Sequence, residues 1–176
     1  MIILFNKPFG VISQFSQHDI HPTLKKFINI PNVYPAGRLD TDSEGLMILT
    51  DDGKAQHEIS SPNNNKYKGY WVQAEGEITQ SALKNLIEGV IIKDYKTKPA
   101  LVNLIEQPKI WERSKPVRFR KSIPTSWINI EIVEGKNRQV RKMTASVGYP
   151  TLRIIRHKID MFFLDGLQPG DYKVLK

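Results

Sequence analysis

The most chemically suggestive part of the sequence is a short acidic stretch. Residues Gly37 to Gly45 (GRLDTDSEG) carry three carboxylates, Asp40, Asp42 and Glu44, at every second position. Closely spaced carboxylates can bind calcium, can act as acid and nucleophile on a glycosidic bond, or can simply form a solvated acidic turn. The residues around the stretch decide among these interpretations.

A calcium loop of the EF-hand type fits the spacing only in part. The three carboxylates occupy positions 1, 3 and 5 of that pattern, Gly45 occupies position 6 and Asp51 position 12. Position 12 normally holds a bidentate Glu, and Pro35 leaves no room for an entering helix. We therefore expect no metal. The glycosidase-like pair and the acidic turn stay open, because a sequence does not give the distance between carboxylates.

Basic side chains are concentrated in the C-terminal half. The chain has 26 Lys and Arg against 18 Asp and Glu, a net charge of +8. Residues 113–158 hold 12 basic and 2 acidic side chains, interleaved with Phe119, Trp127 and Tyr149. Cations that neutralise phosphates beside rings that stack on bases suit RNA, although a solvated basic face explains the charge equally well. Carboxylates repel phosphate, so an acidic stretch in an RNA-binding protein indicates that a carboxylate takes part in catalysis.

Composition narrows the class of protein. The 176 residues suit one globular domain, and the absence of cysteine excludes thiol catalysis, disulfides and structural Cys-zinc sites. The apolar run Met1 to Phe5 is too short for a secretory signal or a membrane span. We expect a cytoplasmic protein that does not enter membranes.

Strands flank the acidic stretch. The apolar run Met1 to Asn6 predicts a buried strand, and Val33 to Ala36 a short one. Leu46 to Leu49 predicts another buried strand, which Asp51 to Gly53 would close as a turn.

The rest of the chain alternates between strand and helix patterns. Period-two alternation predicts two strands, and period 3.6 predicts two helices, the first with Thr79 as its N-cap and Gly89 after its end. This irregular order favours an α+β fold with a mainly antiparallel sheet. The predicted strands are Tyr67 to Gly76 and Ser126 to Val133, and the second helix is Asn137 to Val147.

Blocks spanning nearly the whole chain resemble the RsuA-type ribosomal RNA pseudouridine synthases. In chain order they are Asn6-Lys7-Pro8 with Gly10-Val11, Gly37 to Gly53, Lys68-Gly69-Tyr70, Glu134 to Met143 and Leu152 to Gly170. The stretch Arg120 to Trp127 (RKSIPTSW) is most like a branch acting on the large ribosomal subunit.

The resemblance implies a pseudouridine synthase fold. A mixed, mainly antiparallel sheet with helices would form one catalytic domain over residues 1–176, with subdomains of roughly 1–64 and 65–176 flanking an active-site cleft. Most members carry an N-terminal S4 RNA-binding module. Here the first predicted strand begins at Met1, so we expect none.

The resemblance also implies a reaction that needs no cofactor. The C1′–N1 bond of a uridine breaks, the uracil turns, and C1′ rejoins at C5. Asp40 would be the catalytic carboxylate, either attacking C1′ or stabilising its charge. Arg141 would face Asp40, and Tyr70 would stack on the uracil. Asp42 and Glu44 are interpreted as acceptors that shape the loop, with Glu44 capping backbone N–H groups.

The expected partner is ribosomal RNA of the large subunit, bound by a monomer. Arg38 would enter the space left by a flipped nucleotide. A sister synthase acting on another ribosomal uridine fits the same blocks, whereas a non-catalytic RNA-binding protein would leave Gly37 to Gly45 unexplained. The further residues expected to contact RNA are Arg118, Arg120, Lys121, Arg138, Lys142, Arg153 and Arg156.

Overall fold

The computed structural model describes residues 1–118 and 120–176, and Phe119 lies outside the described residues. Over these residues the chain forms eleven strands and three α-helices. The strands are β1 (Ile2–Lys7), β2 (Tyr34–Pro35), β3 (Glu44–Thr50), β4 (Lys68–Glu75), β5 (Ile91–Ile92), β6 (Tyr95–Lys96), β7 (Leu101–Ile105), β8 (Thr125–Ile132), β9 (Thr151–Ile159), β10 (Phe162–Phe163) and β11 (Tyr172–Leu175). The helices are α1 (Gly53–Ser60), α2 (Gln80–Glu88) and α3 (Gln139–Ser146).

One large sheet organises the molecule. Its strands follow the order β11-β1-β3-β9-β4-β8-β7, with β2 beside β3 and β10 beside β9, while β5 and β6 form a separate hairpin. Strands β3 and β9 run parallel, and the other neighbours in this order are antiparallel. The expected α+β class with a mixed, mainly antiparallel sheet is confirmed.

Strand β3 lies in the middle of the N-terminal part of the sheet. Each of its residues is buried, because β1 and β9 cover its edges and apolar clusters cover both of its faces. A strand buried on both faces reads as a continuous apolar run, which is why Leu46 to Leu49 could be recognised from sequence. The strand positions the acidic stretch that precedes it.

Strands β4 and β8 present one alternating face to the helices. Val72 and Ala74 of β4 and Ile128 and Ile130 of β8 are fully buried against α2 and α3. Helix α2 begins where expected, since the Thr79 hydroxyl accepts a hydrogen bond from the Ala82 N–H at 3.2 Å. Alternation and capping therefore predicted this part of the fold correctly.

The structure corrects the prediction that Asp51 to Gly53 forms a turn. The Asp52 carboxylate accepts hydrogen bonds from the N–H groups of Lys54 and Ala55 and caps α1, a helix absent from the sequence prediction. Helix α1 has no buried residue, so it shows little apolar periodicity. The division into two subdomains stays a prediction. Strand β11, near the end of the chain, pairs with β1 at its start.

Candidate active site

A cavity of about 240 Å³ opens between the acidic loop, β4 and the start of α3. Six of the residues singled out from the sequence line it: Arg38, Asp40, Tyr70, Arg138, Arg141 and Arg156. The others, Arg118, Arg120, Lys121, Lys142 and Arg153, lie outside its wall. The fold thus brings together the three residues expected to be catalytic, although they come from three distant parts of the chain.

The loop that carries Asp40 is fixed by the segment that follows β1. The Ser13 hydroxyl donates to the Leu39 carbonyl at 2.6 Å and accepts from the Leu39 N–H at 3.2 Å. The Gly10 N–H donates to the Thr41 carbonyl at 2.8 Å. Both chain neighbours of Asp40 are therefore anchored, which restricts where its carboxylate can go.

Lys7 supports the same loop from inside the protein. Its ammonium is fully buried and donates to the Val11 carbonyl at 2.8 Å and, more weakly, to the Thr41 carbonyl at 3.4 Å. Burial lowers the pKa of Lys7 to about 7, and the negative charge of nearby carboxylates, above all Glu44, opposes the shift. The Lys7 amine therefore gains and loses its proton close to neutral pH.

Arg138 is the cation that contacts Asp40. Its Nη1 lies 3.2 Å from Asp40 Oδ2, and its two terminal nitrogens reach the carboxylate oxygens of Asp42 at 3.0 and 2.9 Å. Arg138 immediately precedes α3 in the left-handed conformation (φ 51°). Its hydrogen bond to Asp42 is the main cause that raises the Arg138 pKa and lowers the Asp42 pKa.

This geometry differs from the expectation that Arg141 faces Asp40. Arg141 Nη2 donates to the Asp42 backbone carbonyl at 2.9 Å and lies 3.6 Å from Asp42 Oδ1. Burial is the main cause that lowers the Arg141 pKa, and Asp42 opposes it. Arg138 was expected on the RNA backbone, but its position just before the helix lets it reach across to Asp40.

Glu44 is not a capping acceptor, and Arg153 is not a surface residue. The Arg153 guanidinium donates to both Glu44 oxygens at 2.8 and 2.9 Å, and Trp111 Nε1 donates to Glu44 Oε1 at 2.8 Å. Both members of the ion pair are buried. A direct phosphate contact by Arg153 would leave Glu44 buried without its partner, at a cost of several kcal/mol (about 3–5).

Tyr70 and Arg156 form the inner wall of the cavity. Tyr70 packs in the core cluster of β4 and β8 and also lines the cavity. Arg156 is 4% exposed, and its Nε donates to the Leu46 carbonyl at 2.8 Å. Arg156 therefore lies inside the cavity, and its expected contact with RNA stays a prediction.

Four of the other residues expected to contact RNA are accessible. Arg118, Arg120 and Lys121 are exposed in the loop before β8, and Arg38 is exposed at the cavity rim. Lys142 is half-buried on α3, where partial desolvation and the nearby Lys93 lower its pKa. Their contacts with RNA stay predictions.

Sequence reasoning missed three residues that hold the site together. Glu134 accepts from the Gln139 side chain at 3.0 Å and from the Lys98 N–H at 2.8 Å, and so shapes the segment before Arg138. Ser13 leaves no sequence signal. Lys7 does leave one, because a lysine at the end of an apolar strand is either exposed or bound to specific partners.

Solved structures with the same fold include one described as a crystal structure of pseudouridylate synthase. It matches with a TM-score of 0.80 and 29% identity, covering 99% of this chain and 70% of that one. The archaeal box H/ACA sRNP Nop10-Cbf5 complex matches at a TM-score of 0.58 and 14% identity, which shows likeness of fold alone. The fold is thus that of a pseudouridine synthase.

The RNA pseudouridylate synthase family matches residues 1–146, and this chain belongs to that family. It is therefore an isomerase that acts on RNA. Ribosomal large subunit pseudouridine synthase E of Vibrio vulnificus is 51% identical over 172 residues, which cover 98% of this chain and 74% of that protein. The protein of the same description from Xanthomonas campestris is 50% identical over 99% of this chain and 95% of its own length. Ribosomal small subunit pseudouridine synthase A of Yersinia pestis is 34% identical over 98% of this chain and 68% of that protein.

The described residues contain neither a membrane-spanning helix nor a cluster of metal ligands. In the described part of the chain, none of the helices has the length and apolar character needed to cross a membrane. Among residues 1–118 and 120–176, no three His, Asp or Glu side chains are placed to share a metal ion.

Proposed function

We propose that this protein converts a uridine of large-subunit ribosomal RNA to pseudouridine, with Asp40 as its catalytic carboxylate. The observation that carries the proposal is the position of Asp40, at the wall of a cavity lined by Tyr70 and next to the guanidinium of Arg138. The relatives from Vibrio and Xanthomonas, about half identical to this chain, support the large subunit as the source of the RNA.

The geometry assigns a task to each of these side chains. Asp40 acts at C1′, either by attack or by stabilising the charge that develops there. Arg138 donates a hydrogen bond to the Asp40 carboxylate and holds its orientation. Tyr70 offers a ring for the uracil to stack on. The cavity takes one nucleotide, so the target must leave its helix or loop to enter.

Binding to the rest of the RNA falls to the exposed cations. Arg38 lies at the cavity rim, where it can occupy the place that the flipped nucleotide leaves. Arg118, Arg120 and Lys121 supply phosphate contacts from the loop before β8, with Lys142 on α3. The protein acts as a monomer with one catalytic domain over residues 1–176, in the cytoplasm, on ribosomal RNA and without a cofactor.

The test is to incubate the purified protein with protein-free large-subunit RNA and, separately, with small-subunit RNA, and to map pseudouridines by sequence position. We expect one new pseudouridine in the large-subunit RNA and none in the small-subunit RNA. Modification of the small-subunit RNA alone would assign the protein to a sister activity. A lack of pseudouridine in both, with binding intact, would favour a non-catalytic RNA-binding protein.

A further inference from the structure

Two cations line the inner part of the cavity beside Tyr70. Lys68 and Tyr70 are two residues apart on β4, so their side chains point to the same face of the sheet. Arg156 of β9 lies directly opposite Tyr70 in the strand register and also lines the cavity. The three side chains therefore border the space in which Tyr70 would stack on the uracil.

These two cations lack the counter-charge that the buried Arg153 has. Arg153, three positions before Arg156, is equally buried and is fully paired with Glu44. Arg156 Nη2, in contrast, is buried without a hydrogen-bond partner among the described residues. Within residues 1–118 and 120–176, Lys68 forms no ion pair, and burial followed by the charge of Arg156 lowers its pKa.

An arrangement of this kind destabilises the folded protein. Like charges repel, and a buried donor without a partner has lost its hydrogen bonds to water without replacing them. Folding alone therefore gives no reason to place Lys68 beside Arg156. A ligand that brings negative charge or strong acceptor oxygens to the inner cavity would supply the missing partner.

The reaction itself generates such a ligand. When the C1′–N1 bond breaks, its electron pair stays on the uracil and spreads over N1 and the oxygens O2 and O4. The base is then an anion until C1′ bonds to C5, after which the C5 proton is lost and N1 gains a proton. Fixed cations at the oxygens stabilise this anion without reorganisation during the reaction.

We propose that Lys68 and Arg156 bind the oxygens of the target uracil and stabilise its anion during the isomerisation. The inference rests on the proposed function and adds a second electrostatic element to it, opposite in sign to Asp40. Asp40 serves the positive charge at C1′, and the two cations serve the negative charge on the base. A phosphate of the target nucleotide offers similar anionic oxygens, and the experiment below separates the two.

The first variant is Lys68→Met, which keeps the length of the side chain and removes the charge. Single-turnover rates are measured at saturating large-subunit RNA, and Lys84→Met on α2 is the control because Lys84 is 75% exposed and lies outside the cavity wall. We expect the rate of Lys68→Met to fall by about 100-fold, as for loss of one preorganised donor, and its melting temperature to equal or exceed that of wild type. Lys84→Met should match wild type in rate.

The second measurement uses RNA that contains 5-fluorouridine, whose base is a better leaving group, and follows cleavage of the C1′–N1 bond. Because a more stable anion needs less help from the protein, the deficit of Lys68→Met should shrink to less than about tenfold. Arg156→Lys keeps the charge but loses the planar set of donors, so its rate deficit should also shrink with 5-fluorouridine. This second variant checks that the effect is not peculiar to Lys68→Met.

The outcomes are distinct. If Lys68 contacts a phosphate, Lys68→Met should bind RNA more weakly, by the same factor for the uridine and the 5-fluorouridine RNA, and its rate at saturating RNA should not change. This result would overturn the inference. A deficit that is the same for uridine and 5-fluorouridine would also overturn it. If wild type itself makes no pseudouridine, the proposed function fails instead.

Discussion

The guanidinium of Arg138 donates hydrogen bonds to two carboxylates of the same loop. Asp42 takes two of the hydrogen bonds, at 3.0 and 2.9 Å, and Asp40 takes the longer one at 3.2 Å. The bidentate bond to Asp42 fixes the plane of the guanidinium, and that plane sets the direction of the bond to Asp40. Asp42 thus positions Arg138, and Arg138 positions Asp40.

The two arginines should respond differently to replacement by lysine. Arg138→Lys loses the planar fork that joins both carboxylates, so we expect its single-turnover rate to fall by about 100-fold. Arg141→Lys keeps a donor for the Asp42 carbonyl and should stay within about tenfold of wild type. The measurement is single-turnover kinetics at saturating RNA for both variants. A larger loss in Arg141→Lys would show that Arg141 turns to Asp40 when RNA binds.

Lys7 links the acidic loop to pH. Its pKa falls from 10.5 to about 7 on folding, so the unfolded chain binds more protons than the folded one between these values. The contribution of Lys7 to the free energy of unfolding therefore rises with pH over that interval, and it is smallest below about pH 7.

We expect this contribution to disappear in Lys7→Met. The difference in unfolding free energy, wild type minus Lys7→Met, should grow by up to about 1.4 kcal/mol per pH unit from about pH 7.5 to 9.5. Urea unfolding of both proteins at several pH values measures it. A difference that is constant with pH would show that Lys7 keeps its charge in the folded protein over this interval.

At the element scale, β3 and β9 approach each other most closely where the acidic stretch enters the sheet. Gly45 has φ +111°, and a Cβ atom there would lie 2.2 Å from the Arg156 carbonyl oxygen. Only glycine allows both this conformation and this contact. The parallel pairing of β3 with β9 therefore depends on Gly45, and it brings Arg156 beside the loop of Asp40.

Gly45→Ala should destabilise the protein by about 2 kcal/mol or more, because the backbone of Arg156 cannot move away cheaply. Gly53→Ala is the matched control, since Gly53 begins α1 and a Cβ there meets nothing within 4 Å. We expect the control to equal or slightly exceed wild type in stability. Thermal unfolding of both variants tests this, and equal melting temperatures would contradict the close approach.

Periodicity predicted the strands and helices whose buried face is apolar. Helix caps and ion pairs at the ends of these elements were harder to predict. β4, β8 and α2 were recognised because one face of each enters the core. α1 was missed because none of its residues is fully buried, and only the Asp52 cap reveals it. Within the site, aligned blocks pointed to Asp40 and Tyr70, but pairing depends on side-chain direction. Arg138 and Arg141 are three residues apart, and sequence could not show which would reach Asp40.

At the scale of the whole molecule, the cations of the C-terminal half divide into a buried and an exposed group. The basic excess lies in the C-terminal half, yet the structure buries Arg153 and Arg156 and leaves Arg118, Arg120 and Lys121 exposed. Net charge therefore indicated RNA as the partner, but it could not distinguish the buried cations from the exposed ones. That distinction needs the register of β9 against β3.

Changing Arg118, Arg120 and Lys121 together to Ala should weaken RNA binding and its dependence on salt. Each single-strand phosphate contact contributes about 0.7 to the slope of log affinity against log salt, so the slope should flatten by about two units. The exposed lysines Lys25, Lys26 and Lys84, changed to Ala, form the control with the same charge. Binding titrations over a range of salt concentrations measure the slope, and equal slopes for the two triple variants would place the RNA elsewhere.

Asp40→Asn tests most directly whether Asp40 performs the chemistry of an RNA pseudouridine synthase. The change preserves the shape of the side chain and removes its charge and nucleophilicity. The variant and wild type are compared in single-turnover reactions on protein-free large-subunit RNA, with folding and RNA affinity measured in parallel. We predict a folded variant that binds RNA as wild type does and forms pseudouridine at less than about a thousandth of the wild-type rate. Turnover above that level would contradict the account.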